Sequence, residues 1–356
     1  MLQQLFGGGS KGLVGLDISS SSVKVLELSQ KGDRYHVEAY ANEPMPPNAV
    51  VEKNIADPTL VGEAIAKAIK KADTSTKNAA VAVAGAAVFT KTIEAPASLT
   101  GRELEEHIQT EAQAHVPFPL EEVNYDFQVI GPQEKNPEAL DVVLAACRKD
   151  QIDQRAAALD IAGLKAKVVD IEIYAMENAC LFLKHQMPED GVNKTVAVID
   201  IGGSNTGVTI LHNLQTVYTR DQAFGGKQLI EDIMRNYAMS YEDAAKALKA
   251  GNLPDTFESQ VLANFVNDTG QQIDRALQFF FSASSQFTHI DQILLAGGCA
   301  AIANLDARIQ ERLSIPTAVA RPFAQMSIAS RAKPQQLAKE ESALLVAVGL
   351  ATRAFD

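Results

Sequence analysis

The chain has 356 residues, 46% hydrophobic, 21% charged and 6% aromatic. That composition excludes a disordered or fibrous protein and fits two or more packed domains. A formal net charge of -12 would repel a phosphate backbone, which excludes nucleic-acid binding as a main role.

The opening residues, MLQQLFGGGSKG, lack a basic stretch followed by a long apolar one, so no signal peptide is expected and residues 1–11 read as a flexible tail. Residues 12–44 then divide into three short strand-like segments, GLVGLDI, SVKVLELS and RYHVEAYANEP, the pattern of a meander. Asp57-Pro58 opens a helix to about Lys71, with Asp as N-cap and Pro at the first helical position. Residues 79–84 read as a buried strand.

From about Ile93 the texture changes to a charged helix over 101–115, stopped by Pro117 and Pro119. Strands near 125–130 and 141–147, a helix over 150–162 and a strand over 167–173 follow, and together they read as a compact α+β insert at 93–168. A helix over 174–185 leads to Lys194, after which TVAVIDIGGSNTGVTILHNLQTVYTRDQAF repeats the opening meander. Side by side, VGLDISSSSVKVLEL and VAVIDIGGSNTGVTIL each place an Asp at a strand end, then a Gly/Ser-rich turn, then a second apolar strand. A duplicated core follows.

Residues 226–287 are patterned as helix, and from about Thr256 the residues Val261, Leu262, Phe265, Ile273, Leu277 and Phe280 recur on one face, as in a core-facing helix. A buried strand over 290–296 ends in Gly297-Gly298, with a helix from about Ala301. The last helix, over 340–354, is apolar enough to dock on a sheet, but its run over 343–351 falls short of the about 20 residues a membrane span needs.

Three places carry chemistry. In the first turn Asp17 precedes Ser19, Ser20, Ser21 and Ser22, with Lys24 on the next strand. Backbone N–H groups and small hydroxyls there can surround phosphate oxygens. Lys24 adds a positive charge, and Asp17 can hold magnesium through water. A plain hairpin with a polar turn is the alternative. In the second turn, Asp200, Gly202, Gly203, Ser204, Asn205 and Thr206 form the matching loop, whose glycines let a backbone approach phosphate closely. Two such hairpins facing one cleft would clamp phosphates and metal from both sides, with Asp200 as the second carboxylate for magnesium. The third place, Gly297, Gly298 and Cys299, joins a strand to a helix and reads as the nucleoside-side contact, or as a simple turn. Cys147, Cys180 and Cys299 are too scattered for a disulfide framework or zinc site, suit a reducing compartment and are ordinarily small core residues. His36, His107, His115, His185, His212 and His289 show no spacing of a metal site or catalytic triad.

This ordered set of motifs resembles the actin, chaperone-ATPase and sugar-kinase superfamily over nearly the whole chain. Within it, DISSSSVKVLEL is similar to the bacterial division protein FtsA and, more closely, to the PilM family of type IV pilus assembly proteins. NEPMPP, AGAAVFTKTIEAP, HVPFPLEEVNYDF, FGGKQLIEDI and Arg321-Pro322-Phe323 carry the same likeness in the same order.

The resemblance implies an α/β, actin-like duplicated ribonuclease-H-type fold. Subdomain 1A would take 12–92, 169–193 and 338–356, subdomain 1C 93–168, subdomain 2A 194–224 with 288–337, and the helical subdomain 2B 225–287. It implies that ATP and Mg2+ are bound, that Gly225, Gly226 and Lys227 approach the nucleotide, and that Glu172 would orient an attacking water. Lys227 as a solvated helix-start lysine, and Glu172 as a helix-end acid with Glu177 as its nearest competitor, are the alternatives.

The implied partner is the short cytoplasmic N-terminal tail of the inner-membrane protein PilN, held in a groove between 1A and 1C near residues 101–115 and Phe118-Pro119-Leu120. Other pilus-machine proteins and a second copy of the chain are further candidates. A cytoplasmic protein, recruited to the inner face of the inner membrane through a partner, is the location this implies, with ATP hydrolysis slow or incidental. A small-molecule kinase would need a catalytic Asp and a substrate pocket for which no motif is found. A filament protein like FtsA is the other alternative, although no C-terminal amphipathic membrane helix precedes Asp356.

Overall fold

The computed structural model describes residues 12–133, 135–284 and 286–356. The expected tail over 1–11 lies outside them.

Two sheets share one plan. In the first, Leu13–Ile18 pairs antiparallel with Ser22–Lys31 and that with Arg34–Pro44, while Asn78–Val83 and then Lys165–Ile171 run parallel on the other side. In the second, Thr195–Ile201 pairs antiparallel with Thr206–His212 and that with Gln215–Gln222, while Gln292–Ala296 and then Thr317–Val319 run parallel on the other side. The repeated meander is therefore a repeated five-strand topology, the duplicated actin-like plan.

Strand periodicity decides what faces the gap between the sheets. Along Leu13–Ile18, Val14 and Leu16 enter an outer core under the helix Pro58–Ala72, so Leu13, Gly15 and Asp17 face inward. Along Thr195–Ile201, Ala197, Ile199 and Ile201 enter the second body's outer core, so Val196, Val198 and Asp200 face inward. Both aspartates sit one residue from their strand ends, Asp17 opposite Lys24 and Asp200 opposite Gly207. The duplication thus points two carboxylates into one space.

Two helices fill the middle. Residues of Glu172–Cys180 and Leu345–Thr352 share a core with Leu26 and Leu28 of the first sheet and Val196, Val198 and Leu294 of the second. They lie very close together, because a Cβ on Gly349 would collide with the Ala175 carbonyl. Of the helix expected over 340–354, Leu345–Thr352 forms after a 3-10 turn at Glu341–Leu344; a separate short helix, Pro334–Glu340, precedes it, and Ser327–Ile328 joins the edge of the first sheet beside Arg34–Pro44.

The insert sheet orders Val88–Pro96, Ala139–Arg148 and Val123–Pro132, covered by the helix Gly101–His115 through Leu104, Ile108 and Ala112. Helix Lys149–Ile161, which the sequence places in the insert, packs instead on Pro58–Ala72, where Gly62 lets Ile161 approach and Ala158 and Leu159 join the first body's core. The long helix Ala263–Ala283, with a π turn at Glu258–Leu262 before it, buries the whole expected apolar face. Among the described residues no helix is long and apolar enough to cross a membrane.

Candidate functional site

A cleft of about 730 Å3 opens between the two sheets. On its first wall the Lys24 ammonium lies 2.7 Å from Asp17. Burial works most strongly on Lys24 and against its charge, but Asp17, with Asp200 and Glu172 behind it, outweighs that and holds it protonated. The serine turn is tight: the Ser19 amide donates to the Ser22 carbonyl at 3.0 Å, and the Ser19 hydroxyl donates to the same carbonyl at 2.8 Å.

The second turn closes through the Gly202 amide donating to Asn205 O at 2.9 Å. The two hairpins meet tip to tip, with Ser20 Oγ 2.9 Å from Ser204 Oγ. Gly203 faces Ser21 so closely that a Cβ would sit 2.8 Å from the serine Cβ. Asp200 is pushed up to about 6, chiefly by burial, with Asp17 and Glu172 adding to it and Lys24 opposing.

The Gly297 backbone turns at φ 83°, and a Cβ there would strike Ile201 O and the Asp200 carboxylate. Gly298 differs: nothing lies within 4 Å of where its Cβ would be. Gly298 is exposed and lines the cleft. Cys299 also lines the cleft, and its thiol is pushed up to about 12, first by burial and then by Asp200. Cys147 and Cys180 are buried.

Asp17, Ser19 to Ser22, Lys24, Glu172, Asp200, Gly202 to Asn205 and Gly297 to Cys299 are thereby brought to one cleft. Four expected residues stand behind or beside it. Thr206 is buried and donates its hydroxyl to Phe224 O at 2.8 Å. Gly225 and Gly226 buttress the second turn from below, the Gly226 amide donating to Gly202 O at 2.9 Å and the Lys227 amide to Gly203 O at 2.8 Å. The Lys227 ammonium points to Glu231 on the same exposed helix face, 3.9 Å away. Glu172 and Glu177 are separated: Glu172 lines the cleft, while Glu177 accepts from the Thr216 amide at 2.7 Å.

The cleft also contains Lys53, Arg155 and Asp221, which belong to no motif. Lys53 Nζ lies 2.9 Å from Glu172 and 2.9 Å from Asp221. Burial is the largest influence on Lys53 and lowers its pKa, yet Glu172 and Asp221 together raise it above the ordinary value. Glu172 is itself raised, by burial and by the carboxylates of Asp17 and Asp221, despite Lys53.

Five carboxylates, Asp17, Glu52, Glu172, Asp200 and Asp221, line the cleft with four basic side chains, Lys24, Lys53, Arg155 and Arg220, a nearly balanced set. Among the described residues no three His, Cys, Asp or Glu groups converge closely enough to hold a metal by themselves. Magnesium fits here only with phosphate oxygens and water as its other ligands, the arrangement that ion commonly takes. A pair of acidic strand ends, small-residue turns and an open glycine face fit a polyphosphate nucleotide.

The profile of the family described as type IV pilus assembly protein PilM matches residues 15–355. Among solved structures, a chain of a PilM-PilN type IV pilus biogenesis complex is similar at 24% identity, with a TM-score of 0.76, covering 97% of this chain and 98% of that one. Ethanolamine utilization protein EutJ from Carboxydothermus hydrogenoformans is similar at 14% identity and a TM-score of 0.54, covering 95% and 88%. With a duplicated actin-like fold and a family match along nearly its whole length, the chain belongs to the type IV pilus assembly protein PilM family.

Proposed function

We propose that the chain is an ATP-binding component of a type IV pilus assembly platform that uses its cleft as a Mg2+-nucleotide site and its insert side to hold the cytoplasmic N-terminal tail of a PilN-type membrane protein. The observation that carries the first half is the facing pair of hairpins. They bring Asp17, Lys24 and Asp200 to one space, with their serine tips 2.9 Å apart. Bound Mg2+-ATP would supply a polyphosphate whose charge the turn amides and Lys24 neutralise. Asp17 and Asp200 would hold the ion's water shell, and Gly298 leaves the nucleoside room.

Glu172 is the residue for orienting water, but Lys53 occupies both its oxygens at 2.9 and 3.1 Å. An attacking water would have to compete with that ammonium for the Glu172 oxygens, which supports slow hydrolysis. This favours binding in service of assembly over turnover.

For the partner, the family and the PilM-PilN neighbour support the reading. So does the turn after helix Gly101–His115, where Phe118 is 41% exposed and the Arg148 guanidinium lies over its ring, 6.0 Å from the centroid. An extended apolar tail would find aromatic surface there. A labelled PilN-tail peptide titrated with the purified chain, with and without ATP, tests it. Saturable binding weakened by Phe118→Ala is expected, and no binding in either condition would remove the partner.

A further inference from the structure

We propose that Lys53 is a pin across the cleft, joining the two bodies through its ammonium and setting how readily the cleft opens; only its consequence for nucleotide release rests on the ATP reading. Lys53 sits at the tip of a small hairpin between Val50–Val51 and Asn54–Ile55, whose roots Val50 and Ile55 are buried. Glu52 and Lys53 both take left-handed backbone conformations, φ 49° and 64°, as a two-residue hairpin turn demands.

The tip is not free to wander. Arg155, only 4% exposed, donates from Nη2 to Lys53 O at 3.2 Å and from Nε to Ala82 O at 2.7 Å. A buried guanidinium is tolerated only where its donors find acceptors, and here they find the main chain that carries Lys53. The hairpin is therefore anchored to the first body's core, and its lysine is presented at a fixed place.

From that place the ammonium reaches in two directions. Glu172 opens the helix Glu172–Cys180 in the middle of the molecule, while Asp221 lies on Gln215–Gln222, the edge strand of the second sheet. Asp221 pairs in register with Gly207. The first body supplies the hairpin, Arg155 and Glu172, and the second supplies Asp221. Any separation of the two walls at this end of the cleft must break the Lys53–Asp221 pair.

The test is amide hydrogen exchange on the nucleotide-free full chain, comparing wild type with Lys53→Met, Lys53→Arg, Asp221→Asn and the Lys53→Met/Asp221→Asn double variant. Because the Lys53–Asp221 pair is partly exposed, loss of the pin should speed exchange at the turns 19–22 and 202–206 by about fivefold. Arg should restore it, and the double variant should be no faster than Lys53→Met, which already removes the Asp221 contact together with the Glu172 one. Wild-type exchange in Lys53→Met, or additive effects in the double variant, would overturn the pin.

A second arm follows release of a fluorescent ATP analogue, which Lys53→Met should accelerate by a similar factor. If wild type bound no analogue while the exchange pattern held, the pin would stand and the nucleotide reading would fail. If Lys53→Met lost the analogue with exchange unchanged, Lys53 would be a ligand contact and the pin would be wrong.

Discussion

Asp17 and Asp200 occupy equivalent strand positions but meet different neighbours, Lys24 in register with one and Gly207 with the other. Only Asp17 has its ammonium 2.7 Å away; Asp200 lies deeper and is raised to about 6. A carboxyl raised in the folded state stabilises it fully below the ordinary carboxylate pKa, and that contribution is lost as pH rises through about 6. Asp200→Asn should therefore raise the melting temperature of the nucleotide-free protein above pH 6, read by thermal denaturation. A divalent ion needs the ionised form, so Mg2+-dependent nucleotide affinity of wild type should fall as pH drops through about 6, and Asp200→Asn should fall less steeply, keeping only the dependence of the phosphate's own titration. Gly298→Val separates ligand space from stability. Its Cβ meets open cleft, so stability should change by less than about 1 kcal/mol while nucleotide affinity drops at least about tenfold.

At the scale of elements, the hairpins were legible because each leaves a dense local record: alternating apolar residues, an Asp at the strand end and a turn of small residues. Asp57 likewise announced the helix Pro58–Ala72, and its side chain accepts from Thr59 N and Leu60 N. Asp57→Ala should cost about 1 kcal/mol in a urea titration. What the sequence concealed was non-local. Lys53 and Asp221 stand 168 residues apart, and each reads as an ordinary charge in its own neighbourhood. Helix Lys149–Ile161 reads as part of the insert in sequence yet packs on the first body, because Ala158 and Leu159 share a core with Val61 and Ile161 lies against Gly62. Lys227 followed two glycines that do support the second turn, but only its amide reaches that turn; its ammonium extends along an exposed helix toward Glu231.

The whole molecule is two copies of one sheet plan around a shared helical middle, with an insert on one side. That middle is where the bodies are tied: Gly349 lets Leu345–Thr352 lie against Glu172–Cys180 with backbone nearly touching. Gly349→Val, with a backbone carbonyl in its way, should destabilise the fold by about 3 kcal/mol or more, visible as loss of cooperative unfolding or of soluble protein. The cleft, by contrast, is assembled from turns and charges, with its hairpin tips meeting through Ser20 and Ser204. The most direct measurement is calorimetric titration of ATP, with and without Mg2+, into wild type and Asp17→Asn, which preserves the shape of the side chain. A paired-hairpin clamp predicts Mg2+-dependent binding by wild type and a loss of about tenfold or more in the variant. Equal affinity in the two proteins, or no binding by wild type, would contradict it.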